Sequence, residues 1–226
     1  MEKIETKTST IEVNGKTYTR IAIKTHLISD KDNIIEIADN YTKGIRSSKD
    51  MLIISERIVA ISQGRSFLIK DIRPGVWANF LYKFVTKNPG GIGLRSPHTM
   101  QLALQEAGLL RILMACFFSV LTKPFGLKGV FYHIAGNGLN AIDGPCDYTL
   151  YPGNISAKLG PKNAPKVAQE LSDALNLDVV IIDANDLGRR VEGASRNADK
   201  KFAEEAFRDN PLGQRDEQTP MALIKR

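Results

Sequence analysis

Val179-Val180-Ile181-Ile182-Asp183-Ala184-Asn185-Asp186-Leu187-Gly188-Arg189-Arg190 runs four apolar β-formers straight into two acids, an Asn, a Gly and two Arg. Four apolar residues in a row read as a strand buried on both faces. The polar residues behind them read as the turn at the strand's C-terminal end, where open sheets present ligands. Carboxylates beside guanidiniums suit a metal ion and a phosphate, through hard oxygen ligands and planar forks respectively. A solvated charged turn fits the same residues equally well.

Upstream, Pro161 to Leu175 reads as an amphipathic helix with Val167, Ala168, Leu171 and Ala174 inward, so strand–helix–strand is expected here. A second buried strand, Met51-Leu52-Ile53-Ile54, runs into a helix from Ser55 to Arg65 stopped by Gly64. Ile58, Ile61 and Ser62 would face inward, with Glu56 and Arg57 at the strand–helix junction. Ile11 to Val13 and Tyr18 to Ile23 alternate around Asn14-Gly15, the signature of a β-hairpin. Lys24-Thr25-His26-Leu27-Ile28 follows, and Asp32 is placed to cap a short helix.

In the middle of the chain, Pro74 opens a helix whose Trp77, Phe80, Leu81 and Phe84 form a stripe read as core. Asn88-Pro89-Gly90-Gly91-Ile92-Gly93 lacks the Lys-Ser/Thr of a P-loop and reads as a turn before a strand. Ser96-Pro97 starts a helix through Ala107 stopped by Gly108, and Leu109 to Leu121 reads as a buried helix too short to span a bilayer. Gly129 to Ile134 and Tyr148 to Tyr151 read as strands, with a glycine-rich turn holding Asp143 between them. Residues 194–210 read as a solvated helix, and Met221 to Ile224 as a final strand. The expected class is α+β, with mixed, largely antiparallel sheets and packed helices, as one domain over 1–226 or two interlocked subdomains.

The chain has 226 residues, 42% hydrophobic and 25% charged, with a formal net charge of +6. That charge suits anionic ligands. The basic residues look scattered along the sequence, so no nucleic-acid partner is expected, and with Leu109 to Leu121 read as a buried helix no membrane partner is expected either. Cys116 and Cys146 make no CxxC motif, and the polar N-terminus is not a signal peptide; both point to a reducing cytoplasm. There is no Ser-His-Asp order and no HExxH, which leaves nucleophilic and zinc hydrolases with little support. What remains is Asp143, Asp183 and Asp186 in turns, with Arg57, Arg189 and Arg190 near strand ends, the equipment of a metal–nucleotide site.

Three segments carry a resemblance. Ile53 to Arg65 is similar to a pattern of two apolar residues, Thr/Ser-Ser-Lys, then Ile-Val-Ser-Lys-Ala-Glu-Gly-Arg. Val179 to Arg189 resembles an apolar run followed by Ser-Asp-Thr-Phe-Gly-Arg, and Gly213 to Ile224 resembles Gly-x-Ala-Asp-Gly-x-Pro-Val-x-Val. The three in order resemble the coenzyme F420-0:L-glutamate ligase family, the gamma-glutamyl ligases of the deazaflavin coenzyme.

The resemblance implies a homodimer that uses GTP with Mg²⁺ or Mn²⁺ to join L-glutamate to a carboxylate acceptor through an acyl phosphate. It assigns nucleotide contacts to Thr25, His26, Leu27, Ile28, Glu56, Arg57, Gly213, Gln214, Asp216 and Glu217. It assigns metal ligands to Asp143 and to Asn185 with Asp186, or to Asp183 if the strand sets the register; Arg57 and Arg189 would be catalytic. Ile61 stands where the pattern has its second Lys, and Gln63 where it has Glu, departures that bear on the acceptor more than on the fold.

Overall fold

The computed structural model describes residues 4–85, 92–136, 138–147, 149–185, 188–213 and 217–226, and of Asn185 the backbone alone. Its strands are β1 (Thr6–Val13), β2 (Lys16–Ile23), β3 (Met51–Ser55), β4 (Ser66–Leu68), β5 (Ser156–Lys158), β6 (Asp178–Asn185), β7 (Gly188–Ala194) and β8 (Met221–Lys225). Its α-helices are α1 (Ile34–Thr42), α2 (Glu56–Ser62), α3 (Val76–Leu81), α4 (Pro97–Ala107), α5 (Leu109–Thr122), α6 (Val130–Ala135), α7 (Ala164–Leu175) and α8 (Lys200–Ala206). The chain divides into two compact units, residues 1–64 with 161–226, and residues 65–160.

The first unit is built on a six-stranded sheet of order β1-β2-β8-β3-β6-β7. Only β3 and β6 run parallel; every other neighbouring pair is antiparallel. This is the expected α+β, largely antiparallel architecture. The Asn14-Gly15 turn takes left-handed φ values of 52° and 74°, which these two residues tolerate. Strand alternation splits the apolar side chains between two layers. Leu52, Ile54, Val179, Ile181, Met221 and Leu223 pack with α1, α2 and α7, whereas Ile53, Val180, Ile182, Ala222 and Ile224 pack with α8. Both faces are covered, which is why these strands read as unbroken apolar runs.

Several boundaries move. Asn33, not Asp32, caps α1, its Oδ1 accepting from the backbone N–H of Ile35 at 2.9 Å. α7 starts at Ala164, behind Asn163 at φ 50°, and Leu175 rather than Ala174 takes the buried position. The helix expected over 194–210 shrinks to Lys200–Ala206, because β7 takes Ala194 and Asp199 caps the helix, its Oδ1 accepting from Phe202 N–H at 3.0 Å. The largest change lies beyond Ile182. β6 continues to Asn185 and folds back through β7, so Gly188, Arg189 and Arg190 sit on a strand rather than in a turn.

In the second unit, α4 is capped as expected. Ser96 Oγ accepts from Thr99 N, Thr99 Oγ1 accepts from Ser96 N, and Gly108 ends the helix at φ 82°. Other expectations fail. Gly129 to Ile134 is not a strand: the helix α6 occupies Val130–Ala135, bounded by Gly129 and Gly136 at φ 77° and 58°. No strand covers Thr149 to Tyr151, and Tyr148 lies outside the described residues. Residues 88–91 also lie outside them; Ile92 to Arg95 is a turn leading directly into α4. The α3 stripe is not core, since Trp77, Phe80 and Phe84 are exposed and Leu81 is buried. Nor is α5 a buried helix: Ile112 and Ala115 are buried while Leu110, Phe117 and Leu121 face solvent.

Candidate functional site

The topology gathers the quoted segments of the first unit at one edge of its sheet. β3 and β6 are parallel and in register from Met51–Asp178 to Ser55–Ile182, so Glu56 and Asp183 leave the sheet at the same end. β8 runs the other way, with Met221 opposite both Ile54 and Ile23, which puts its start at that end as well. Two backbone bonds close the cluster: Ser55 N–H donates to Pro220 O at 2.9 Å, and Thr25 N–H to Gln218 O at 3.0 Å. Residues 25–28, 55–57, 183–185, 188–190 and 217–220 therefore meet at the C-terminal edge of the one parallel pair, the edge where α/β sheets hold ligands.

The hairpin sets the facing of its charges. Asp183 pairs across the ladder with Arg190, and Ala184 with Arg189. Directly opposed residues share a face, with Cβ atoms about 5 Å apart. Ala184 packs into the α8 layer, so Asp183 and Arg190 stand on the α1–α2–α7 face and Arg189 on the other. Arg189 accordingly reaches α8, where its guanidinium lies 3.1 Å from Glu205. The resemblance favours Arg189; strand pairing puts Arg190 on the Asp183 face, where its Nε donates to Glu192 Oε1 at 2.8 Å. Strand parity carries that distinction, and it was hidden while the segment was taken for a turn.

The other candidates are positioned as follows. Thr25 is buried, and its Oγ1 donates to His26 O at 2.8 Å. The His26 ring is held by Tyr41 Oη at 3.0 Å and Asp32 Oδ1 at 3.3 Å. Asp32 accepts in turn from Ser29 N–H and Oγ, at 2.7 and 2.8 Å. The Ser29 backbone N–H, then its hydroxyl, hold the Asp32 carboxyl below the usual carboxylate range, with His26 adding to the effect. Leu27 is exposed, whereas Ile28 belongs to the core and offers a ligand only its backbone. Tyr41 and Ser29 escaped the sequence reading, which gave Asp32 only a capping role; Ser29 with an Asp three residues on was the available sign.

Glu56 is buried at the first position of α2, and the Arg57 N–H donates to Ser55 Oγ at 3.4 Å. Gly213, at φ 75°, lies against the Glu217 carboxylate, and a Cβ there would come within 2.6 Å of its oxygens. Gln214, Asp216 and Asp186 lie outside the described residues, as does the Asn185 side chain.

Asp143 belongs to the second unit. Its backbone forms a two-bond bridge with Lys158, at 2.9 and 3.1 Å, and its Oδ1 accepts from Gly144 N–H at 2.9 Å. Lys158 is buried and donates from Nζ to Ala141 O at 3.0 Å. Asp143, Asp183, Asn185 and Asp186 offer carboxylate and amide oxygens, the donor chemistry of a hard divalent cation. Among the described residues no three His, Cys, Asp or Glu side chains gather closely enough to hold a metal.

Comparison with known proteins agrees with the quoted motifs. The family model described as F420-0:gamma-glutamyl ligase matches residues 22–197, which include β3, α2, Asp143 and the Asp183 hairpin. No curated protein matches the chain. With more than three quarters of its length matched, the chain belongs to the F420-0:gamma-glutamyl ligase family and so to the ligases.

Proposed function

We propose that the protein joins L-glutamate, or a similar amino acid, to a carboxylate acceptor through an acyl phosphate, with GTP as the phosphoryl donor. The observation that supports this most is the meeting of four motif segments at the C-terminal edge of β3 and β6, with Asp183 and Arg190 on one face. Phosphoryl transfer asks a protein mainly for positioning and charge stabilisation, and this edge has groups for both.

In the first step an oxygen of the acceptor carboxylate attacks the γ-phosphorus. The bond from that phosphorus to the β–γ bridging oxygen breaks, and GDP leaves. In the second step the amine of glutamate attacks the acyl carbon, inorganic phosphate departs with the C–O bond, and the amine proton passes to solvent. Arg57 and Arg190 offset the charge on the transferring phosphoryl group. To do so Arg190 exchanges its Glu192 partner, and Arg189, the expected catalytic residue, joins them only if it exchanges its Glu205 partner. Thr25, His26, Leu27 and the backbone of Ile28 contact the nucleotide with Glu56, Gly213, Gln214, Asp216 and Glu217. Mg²⁺ or Mn²⁺, held by Asp183 with Asn185 and Asp186, would draw charge from the phosphate oxygens; Asp143 is the carboxylate donor proposed on the second unit. A cytoplasmic homodimer completes the reading.

Calorimetry with GTP and ATP, with and without Mg²⁺, tests it on wild type and Asp183→Asn. Metal-dependent binding of GTP, weakened in the variant, is expected. Phosphate release is then expected on adding L-glutamate with F420-0 or another carboxylate. Failure to bind either nucleotide would remove the ligase mechanism. A second reading, nucleotide binding without turnover, draws on residues 61–63. Ile61 stands in place of the pattern's Lys. The Gln63 side chain is spent on the Lys162 backbone, donating at 3.0 Å and accepting at 2.7 Å. Binding without phosphate release across the acceptor panel would favour that reading.

A further inference from the structure

The second unit exposes an apolar, cationic face that the ligase reading does not use. Leu110, Met114, Phe117, Phe118 and Leu121 recur at helical spacing along the open side of α5, and the exposed row continues through Phe125 and Leu127. At about 200 Å² per large side chain, the exposed fractions of these residues and Val120 add to on the order of 1,000 Å² of apolar surface. The largest patch on a typical monomer is about 300–600 Å². A helix apolar on every side belongs inside something, and only Ile112 and Ala115 of α5 are buried in this unit.

The charge of the chain lies in the same region. Of its 31 Lys and Arg, seven fall in 72–142 against Glu106 alone of its 25 acids. The remaining 24 of each sign cancel, so this segment carries the whole net charge of +6. Glu106 is paired with Arg65 at 3.0 Å, while Arg73, Lys83, Arg95, Arg111, Lys123 and Lys128 are exposed. The basic residues thus only looked scattered in the sequence, because acids elsewhere balance the others.

We propose that this face docks in the plane of an anionic lipid bilayer, with the aromatic and aliphatic row of α5 in the acyl boundary and Lys123, Lys128 and Arg111 at the phosphates. α5 has 14 residues, about 21 Å of helix, and among the described residues no single helix is long and apolar enough to cross a membrane; α4 and the helix after it reach that length only as a pair bent by 109°. The docking proposed is therefore in the plane of the bilayer. A second copy fits less well: an isologous contact would set the cationic groups of this face against their own copies. The expectation of no membrane partner rested on a buried Leu109–Leu121, which the structure does not have.

The test is co-sedimentation of the full chain with sucrose-loaded vesicles of phosphatidylcholine containing 30% phosphatidylglycerol, against phosphatidylcholine alone. Binding is expected to the anionic vesicles, at least tenfold stronger than to neutral ones and weakened about tenfold by 0.5 M NaCl. Phe117→Ser/Leu121→Ser and Lys123→Gln/Lys128→Gln should each lose at least tenfold in vesicle affinity. All four positions are exposed, so the melting temperature should hold and report that the fold is intact. Absence of binding to anionic vesicles overturns the proposal, as does equal binding to both vesicle types. Sedimentation equilibrium showing a dimer that Phe117→Ser/Leu121→Ser dissociates, with no vesicle binding, would assign the face to a second copy instead.

Discussion

Replacing Gly193 with alanine sets a methyl group against the first turn of α7. Gly193 is buried in β7 opposite Ile181. A Cβ there would lie 2.6 Å from Pro165 N and closer still to the carbonyl carbon and oxygen of Ala164. All three are backbone atoms, so no rotamer change relieves the clash and either the start of α7 or the hairpin must shift. Overpacking of this kind costs about 1–3 kcal/mol, and a backbone obstacle argues for the upper end. The reduced freedom of the unfolded chain returns roughly 0.4–1 kcal/mol. The net loss is about 2 kcal/mol. For a chain of this size that lowers Tm by about 4–8 °C. Gly188→Ala is the control, because it lies on the same strand with nothing within 4 Å of its Cβ, and its Tm should stay within about 2 °C. Circular dichroism melts of the two variants and wild type decide the matter. A Gly193→Ala melt within 1 °C of wild type, or an equal loss in both variants, would refute the reasoning.

Arg190→Gln should weaken nucleotide binding by about tenfold and Arg189→Gln by much less, because only Arg190 shares a face with Asp183; equal losses in calorimetry would break that argument. Ser96→Ala removes one half of the α4 capping box and should cost about 1 kcal/mol, read as a lowered urea midpoint. Asp209 receives the guanidinium of buried Arg20, whose hydrogen bond first and charge second hold its carboxyl below the usual range. A lowered folded pKa adds stability above the ordinary carboxylate pKa and loses it as pH falls through the folded value. Half of the Asp209 side chain is exposed, so Asp209→Asn should cost only on the order of 1 kcal/mol at pH 7. That difference should start to shrink only below about pH 4 and be lost as pH falls through the lowered folded value, and a difference independent of pH in urea titrations would contradict the assignment.

Local chemistry made much of this fold readable from the chain alone. Asn14-Gly15 announced its hairpin, Ser96-Pro97 and Gly108 bracketed α4, and the apolar runs at 51–54 and 179–182 were strands because burial on both faces leaves no alternation. The order of the three family segments was legible for the same reason: each is a short run of residues whose types carry the signal. What depended on partners distant in sequence was not. A mostly apolar hexad between glycines, Val130 to Ala135, fits strand or helix equally, and positive-φ glycines at both ends, Gly129 and Gly136, bound it as α6. Nothing near Met221 says that the last strand inserts between β2 and β3, yet that insertion brings Thr25, Ser55 and Pro220 to one edge. The facing of Arg189 and Arg190 followed from ladder pairing, and the exposure of α5 from which neighbours the unit supplies. Residue type and spacing determined the elements and the family, because those signals are local. Which side chains meet, and which apolar face stays open, was decided by tertiary pairing alone, because a strand's face and a helix's cover are set by residues far away in the chain.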